Sequence, residues 1–485
     1  MIESPLLPQI GSYIDGKWVT ATNAPPTDVW NPCHGQKLAV IAQIEELQLV
    51  RAIDSAAEAV LRFPDVQKRS GWLAHIAELL LSNKQELARI IVLENGKPLK
   101  EAVGEVEYAA GFFEYYAKNL APLESRVLPG NVRGCKWTVH HRPAGVAGII
   151  TPWNFPLAMM AKKLSAALAA GCAVVTKPAP ATPLSAIALW HLFTQAGLDN
   201  GRANLVIGDA EMIGRVLCSH PSVRVVSFTG STRVGKKLME MSSQHLKRVA
   251  LELGGNAPFI VFKDADRDAA ADHLIANKFR AGGQTCVCAN RILVQRDVHD
   301  QFAEILRPKI AALKVGDGLD PGTDIGPLIN REGWEKVDRH VRDALARGAQ
   351  RLVGADPPRP VHNWGAFFPP TLLAGIRPDM ILCREETFGP VVALMPFDTD
   401  DDAVRLANFT DYGLAAYVFT RDAGRAERTI RRLNFGHIGL NTGTGPAPHA
   451  PFGGMKQSGF GREGGEEGLL EYLEPLTVAE AQANA

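Results

Sequence analysis

Between Val146 and Phe228 short apolar runs alternate with longer, mixed stretches. Val146–Ile150, Ala173–Lys177, a run near Asn204–Ile207 and Val223–Phe228 have the length and apolar content of buried strands. Pro156–Ala170 (closed by Gly171), Pro183–Ala196 and Ala210–Cys218 read as the helices between them. Strands and helices in alternation, with short connections, predict a parallel sheet covered by helices on both faces. Such sheets bind ligands at the carboxyl ends of their strands. Asn154, Lys177 and the turn Thr229-Gly230-Ser231 all fall at such ends.

The flanking pattern differs. Residues 11–20 predict a hairpin turning at Asp15-Gly16, and helical periodicity follows over Leu47–Leu61, Ser70–Glu94 and Lys100–Leu120. Residues 122–143 carry Pro122, Pro129, Gly130 and Gly134 and an alternating Lys136–His140, which predict strands that leave the domain and return. An exposed edge of that kind calls for a partner, so we read it as an oligomer contact. A second α/β run follows Gly254-Gly255. It has a helix over Asp266–Phe279, another over Val298–Leu313, and strands near Val391–Met395 and Ala416–Val418. Tyr472–Glu480 reads as a closing strand.

The 485 residues are enough for two large domains or about three smaller ones. With 46% apolar residues a sizeable core is expected, and zero net charge gives no footprint for nucleic acid or an anionic membrane. The start, Met-Ile-Glu-Ser-Pro, has neither a basic nor an apolar signal region. Val146–Ala161 is broken by Asn154 and two prolines, so no membrane span is expected. Seven scattered cysteines do not make a disulfide framework and point to a reducing cytoplasm.

The chemistry centres on Lys278–Arg291. Cys286 follows Gly282-Gly283, whose backbone freedom suits a thiol held at a sharp bend. Cys286 and Cys288 have one residue between them and no second pair at ligand spacing, so no metal site is expected. Alone, Cys286 reads as a buried structural thiol, and only the other motifs turn the reading. Asn154 is placed either to cap a helix or to donate to an oxyanion. Glu252, between Leu251 and Leu253, is a carboxylate in apolar surroundings, where burial raises the pKa into the range of a general base. Glu385-Glu386 precedes a turn, and Phe228–Gly235 is a strand ending in a helix start that suits a phosphate. A literal G-x-G-x-x-G at Gly459–Gly464 has no strand before it and no βαβ unit after it; we read it as a loop.

Seven motifs in order make the chain similar to the aldehyde dehydrogenase superfamily over almost its whole length. They are Thr-Pro-Trp-Asn-Phe-Pro at 151–156, Lys177-Pro178, Phe-Thr-Gly-Ser at 228–231, Glu-Leu-Gly-Gly at 252–255, Gly-Gln-Thr-Cys at 283–286, Glu-Glu-Thr-Phe-Gly-Pro at 385–390 and Pro-Phe-Gly-Gly at 451–454. The resemblance implies an α/β fold with a Rossmann-type cofactor domain, a second α/β catalytic domain and a β-arm for oligomerisation. It implies that the Cys286 thiolate attacks an aldehyde, that Asn154 and the Cys286 amide hold the oxyanion, and that Glu252 activates water against the thioester. Lys163 matches a lysine that positions or relays protons near Glu252. NAD or NADP would lie against Trp153, Lys177, Pro180, Gly230, Ser231, Leu253, Glu386 and Phe388. Members preferring NAD often carry a glutamate where this chain has Pro180, so NADP is expected as readily as NAD.

Within the superfamily the chain most resembles succinate-semialdehyde dehydrogenases, through Lys-Phe-Arg at 278–280, Cys-Val-Cys-Ala-Asn-Arg at 286–291 and Gly-Leu-Asn-Thr-Gly at 439–443. Those enzymes grip the substrate carboxylate with two arginines and a serine. Arg280 matches one arginine, but Lys162 stands at the other and Pro446 at the serine. Lysine offers a point charge where arginine offers a fork. With Phe155 beside it and His449 as a further donor, the pocket is expected to take a small anionic aldehyde. Succinate semialdehyde is the first expectation, and a sulfonate such as 3-sulfolactaldehyde the alternative. Cys288 is a candidate redox partner for Cys286. Acyl transfer to coenzyme A and a non-catalytic binding role are the rival readings, and intact Glu252, Asn154 and Cys286 weigh against them. The expected domains are 1–121 with 144–252 for the cofactor, 253–450 for catalysis, 122–143 with 471–485 as the arm of a homodimer or homotetramer, and 451–470 as a return segment.

Overall fold

The computed structural model describes residues 1–120, 123–129 and 134–481. Val146–Ile150 is buried almost throughout, as the centre of a parallel sheet requires. Ala173–Lys177 and then Ala203–Leu205 lie on one side of it, and Val223–Thr229 and then Arg248–Glu252 on the other. All four of these pairings are parallel. The chain therefore reverses direction across the sheet between Val146–Ile150 and Val223–Thr229, so the loops after these two strands part there and open a crevice. The hairpin Ser12–Ile14 and Lys17–Val19 closes one edge, antiparallel to Ala203–Leu205, and turns at Asp15-Gly16.

A second sheet of seven strands runs Gln350–Val353, Thr371–Ala374, Val391–Phe397, Ala289–Gln295, Ala257–Val261, Ala415–Phe419, His437–Leu440. It is parallel except at Gln350–Val353. Strand Ala289–Gln295, just beyond Cys286, lies at its centre, buried on both faces. The helix expected over Asp266–Phe279 spans Arg267–Lys278, and that expected over Val298–Leu313 spans Arg296–Ala311.

Two expectations need correcting. The periodic stretch Ser70–Glu94 is two helices, Val66–Ser82 and Lys84–Asn95, parted at Asn83. Asn83 turns its amide back onto the Leu79 carbonyl at 2.8 Å, a local bond that competes with continuing the helix. Gly459-Phe460, read as loop, is a short strand antiparallel to Leu251-Glu252 on the first sheet. In the arm, strand Cys135–Pro143 pairs with Leu473–Ala481 along its whole length and with Arg126–Val127. Pro122, Gly130 and residues 482–485 of the expected arm lie outside the described residues.

Among the described residues no helix is long and apolar enough to cross a membrane. Nor is there a group of three His, Cys, Asp or Glu side chains placed to hold a metal ion.

Candidate active site

The loop before Cys286 bends as its glycines predict. Ala281, Gly282 and Gly283 all have positive φ, at 50°, 62° and 76°. A side chain at Gly283 is excluded on a second ground, since a Cβ there would stand 2.2 Å from the Gly389 carbonyl oxygen. Ala281 has no such licence and is held in the left-handed region by its amide, which donates to Glu101 Oε2 at 2.7 Å.

The bend presents Cys286 to a cavity of about 870 Å3 that also exposes Asn154 and Glu252. The thiol donates to Glu252 Oε1 at 3.4 Å. Burial pushes Cys286 well above the usual thiol range, and the neighbouring Glu252 carboxylate pushes the same way. The sulfur thus rests against the carboxylate that the resemblance gives as the base. Asn154 does not cap the following helix. Its Nδ2 donates to the Gln284 carbonyl at 2.9 Å, and the helix start at Leu157 and Ala158 is capped by Glu105 instead. An Asn amide carries two N–H donors, so one remains for a ligand.

The surroundings of Glu252 are not apolar as expected. Its Oε2 accepts from Thr229 Oγ1 at 3.3 Å and lies 3.7 Å from Lys162 Nζ. Lys162 also pairs with Glu463 Oε2 at 2.7 Å, while Lys163 reaches Glu463 Oε1 and, at 3.1 Å, Ser227 Oγ. The expected roles of the two lysines are therefore corrected. Lys162 is the lysine beside Glu252, and it is committed to carboxylates of the protein. Consecutive helix residues point about 100° apart, so only one can face Glu252. Burial pulls Lys162 down, but Glu463 and Glu252 outweigh it and hold the ammonium above its ordinary value. Burial likewise pushes Glu463 up, and the two ammoniums overcome it, leaving the carboxyl at about 2. Sequence reasoning missed Glu463. Its signal was a single carboxylate among the glycines of 459–464.

On the substrate side the cavity is walled by Phe155, Lys162, Arg280 and Pro446, with Tyr108 as a residue the sequence did not mark. Arg280 is exposed, 4.9 Å from the Phe155 ring, and among the described residues no carboxylate lies within ion-pair distance of it. A smaller cavity of about 250 Å3 shares Arg280, Thr285 and Val287 with the main one. His449 lines neither. It is exposed on the turn beyond Thr444-Gly445-Pro446, and these three residues form the wall in its place.

On the other side stand Trp153, Gly230, Ser231, Leu253, Glu386 and Phe388. Trp153 and Phe388 meet edge to face at 5.6 Å. Ser231 caps the helix Thr232–Ser243 through the Val234 amide. The adjacent glutamates diverge. Glu385 turns out to Arg339 and His340, whereas Glu386 turns in, accepting the Gly255 amide at 3.0 Å. Burial raises Glu386 to about 7. A half-buried carboxylate with one backbone partner and spare acceptor capacity suits the hydroxyls of a ribose, so this wall fits a nicotinamide nucleotide. Lys177 and Pro180 lie beyond the cavity wall, at the end of the next strand. Lys177 is buried, its Nζ on the Pro178 carbonyl at 3.0 Å, and burial lowers it to about 8. Cys288 is a free thiol with partners other than Cys286; its sulfur contacts Lys278 Nζ at 3.6 Å and the Gly283 carbonyl at 3.2 Å.

The chain and its fold are similar to those of known proteins. Residues 18–478 match the aldehyde dehydrogenase family. The chain is 46% identical to the mitochondrial succinate-semialdehyde dehydrogenase of Arabidopsis thaliana over 464 residues, which cover 95% of this chain and 87% of the relative. It is 44% identical to the NADP(+) succinate-semialdehyde dehydrogenase of Escherichia coli, with 96% of each chain covered. Its fold superposes on the crystal structure of an oxidoreductase from Marinobacter aquaeolei with a TM-score of 0.96 at 51% identity, covering 99% of this chain and all of the other. A thiol resting on its base, in a crevice walled for a nicotinamide nucleotide, thus sits in a chain that belongs to the aldehyde dehydrogenase family and is an NAD(P)-dependent oxidoreductase.

Proposed function

We propose that the chain oxidises succinate semialdehyde to succinate, through a thioester on Cys286. The observation that carries the catalytic part is the Cys286–Glu252 contact in a cavity shared with Asn154. Glu252 takes the thiol proton as the sulfur attacks the aldehyde carbon. The oxygen of the resulting thiohemiacetal gains charge, and the unused N–H of Asn154, with the Cys286 amide, receives it. A nicotinamide nucleotide held in this crevice would supply the acceptor for the hydride that leaves that carbon. Glu386 and Phe388 would hold its ribose and ring, Trp153, Gly230, Ser231 and Leu253 complete the wall, and Lys177 with Pro180 would serve the adenosine end. Glu252 releases the thiol proton to solvent and, as carboxylate again, activates the water that hydrolyses the thioester, while Lys162 and Glu463 fix the charge around it.

The head of the substrate is the remaining choice. The sulfonate reading relied on Lys162, Arg280 and His449 acting together, but Lys162 is paired with Glu463 and His449 lies outside the cavity. Of Lys162 and Arg280, only Arg280, a bidentate donor suited to a carboxylate, has no carboxylate in ion-pair distance among the described residues. Both relatives described above are named for succinate semialdehyde. The test compares kcat/KM for succinate semialdehyde and 3-sulfolactaldehyde, each with NAD and NADP. Succinate semialdehyde is expected to win with either cofactor, and a preference for the sulfonate would sink the assignment. Cys286→Ala retaining full activity would sink the mechanism.

We further infer the domain division set out above, with 451–470 returning to the cofactor domain. Strand membership supports it, since Gly459-Phe460 joins the first sheet. The three-stranded sheet of Arg126–Val127, Cys135–Pro143 and Leu473–Ala481, separate from both large sheets, supports an oligomer arm in a homodimer or homotetramer. Light scattering on the intact chain and on a truncation after residue 470 tests it; equal masses per particle would remove the arm from the assembly. The scattered spacing of the seven cysteines supports a reducing cytoplasm. Cell fractionation that finds the protein elsewhere would refute that placement.

A further inference from the structure

Three charged residues unused by the mechanism border the reacting centre from one direction. Lys97 stands just before the helix Leu99–Lys118, and Glu101 and Glu105 lie four and eight residues on, facing the same side. Lys97 and Glu105 are both 3% exposed and form an ion pair at 2.5 Å. Lys97 Nζ also donates to the backbone oxygen of Asn154 at 2.7 Å and lies 3.8 Å from the centre of the Phe155 ring. With its other oxygen Glu105 accepts the amides of Leu157 and Ala158, at 2.9 and 3.2 Å. Glu101 holds the Ala281 amide on the thiol side. The Asn154–Gln284 bond then joins the two sides.

Two charges taken out of water repay little of their desolvation in stability, so stability alone gives weak reason for a buried Lys97–Glu105 pair. Its partners give a stronger one. Lys97 touches the residue that donates to the oxyanion and the residue after it, and Glu105 ties Lys97 to the start of the next helix. We propose that Lys97, oriented by Glu105, is a positioning residue that fixes the Asn154 amide relative to the Cys286 sulfur. Its loss would leave both donors of Asn154 in place but let them wander. Rate falls steeply with such misplacement, whereas the cofactor wall, on the far side of Trp153, keeps its shape.

The inference rests on Asn154 as the oxyanion donor, and one experiment separates the two. In the full-length enzyme, kcat and the KM values are measured for Lys97→Met, Asn154→Ala and the double variant. Asn154→Ala is expected to lower kcat about 100-fold. Lys97→Met is expected to lower it roughly 10- to 100-fold, with the cofactor KM within about twofold. The double variant is expected within about twofold of Asn154→Ala, because the two act as a unit. Lys97→Arg, which keeps a charge and donors, is expected to recover part of the rate. Losses that multiply in the double variant, or an unchanged kcat in Lys97→Met, overturn the proposal. An unchanged kcat in Asn154→Ala overturns the oxyanion reading itself, and this inference with it. Should Lys97→Met fail to fold, the cycle is run with Glu105→Gln, of nearly equal volume. A smaller loss, about 3- to 10-fold, is expected to vanish in the Asn154→Ala background. A loss that persists there, or none in either background, overturns the proposal.

Discussion

On the wall made by the helix Ala158–Ala170 and the strand Arg248–Glu252 every charge meets another. Lys162 and Lys163 share Glu463, and Lys162 leans on Glu252. On the cofactor wall the charges meet only backbone. Glu386 accepts an amide and Lys177 donates to a carbonyl, with no opposite charge in ion-pair distance among the described residues. The consequences run in opposite directions. Pairing holds Glu463 near 2, far from its switching point at neutral pH, while burial outweighs the more distant charges and moves Glu386 to about 7 and Lys177 to about 8. Charge that must stay fixed during the reaction is neutralised within the protein. Charge meant for a ligand is left for the ligand to neutralise, at the cost of sitting close to neutrality in its absence.

The largest effects come from breaking the paired wall. Glu252→Gln keeps the shape and the contact with Thr229 but cannot take a proton. It is expected to lower kcat about 10²- to 10⁴-fold. A variant within threefold of wild type, measured as reduced nicotinamide formed, would remove Glu252 from the mechanism. Glu463→Gln leaves two buried ammoniums without their carboxylate, and one-sided breakage of a buried pair costs about 3–5 kcal/mol. A lower melting temperature at pH 7.5 is the expected result. Because the folded pKa of Glu463 lies below that of an unfolded glutamate, near 4.3, its contribution is full above that value and is lost as pH falls towards 2. The gap in melting temperature between wild type and Glu463→Gln should therefore narrow below about pH 4. A gap independent of pH would show that the ion pairs do not carry it.

The two walls were also unequally legible. Glycines before Cys286, and Asn154, Glu386 and Lys177 at strand or loop ends, are local signals, and the chain does bring Asn154, Cys286 and Glu386 to one cavity. The paired wall is a long-range fact. Lys163 and Glu463 are 300 residues apart, and no local pattern says which of two adjacent lysines will turn toward Glu252. His449 failed for a related reason, since a motif fixes a residue's place in the chain but not which residues of a loop reach the pocket. The break at Asn83 escaped because one residue with a competing side-chain bond hardly disturbs an apolar period.

The cofactor wall predicts smaller, pH-dependent effects. Lys177 loses its charge as pH rises through about 8, so any attraction for the 2′-phosphate of NADP should fade between pH 7 and pH 9. The ratio of kcat/KM for NADP to that for NAD is expected to drop by up to roughly tenfold. Cys286 and Glu252 serve both cofactors, so changes in the chemical step cancel in the ratio, and a flat ratio would place Lys177 away from the phosphate.

Glu386 gives the smallest and most discriminating effect. Its folded pKa, about 7, is above that of an unfolded glutamate, near 4.3, so the folded chain binds the extra proton. Stability from this group is complete below about pH 4 and is lost as pH rises through 7. Glu386→Gln, which cannot ionise, should therefore melt about 1–3 °C above wild type at pH 8 and show little difference at pH 4.5. The same variant should raise the KM for both cofactors, because an amide accepts fewer hydroxyls than a carboxylate. Gain in stability joined to loss of cofactor affinity is the signature of a charge held for a ligand. A variant that lost stability at pH 8 would show instead that Glu386, like Glu463, is already paired within the protein, and the contrast between the two walls would fail at its clearest point.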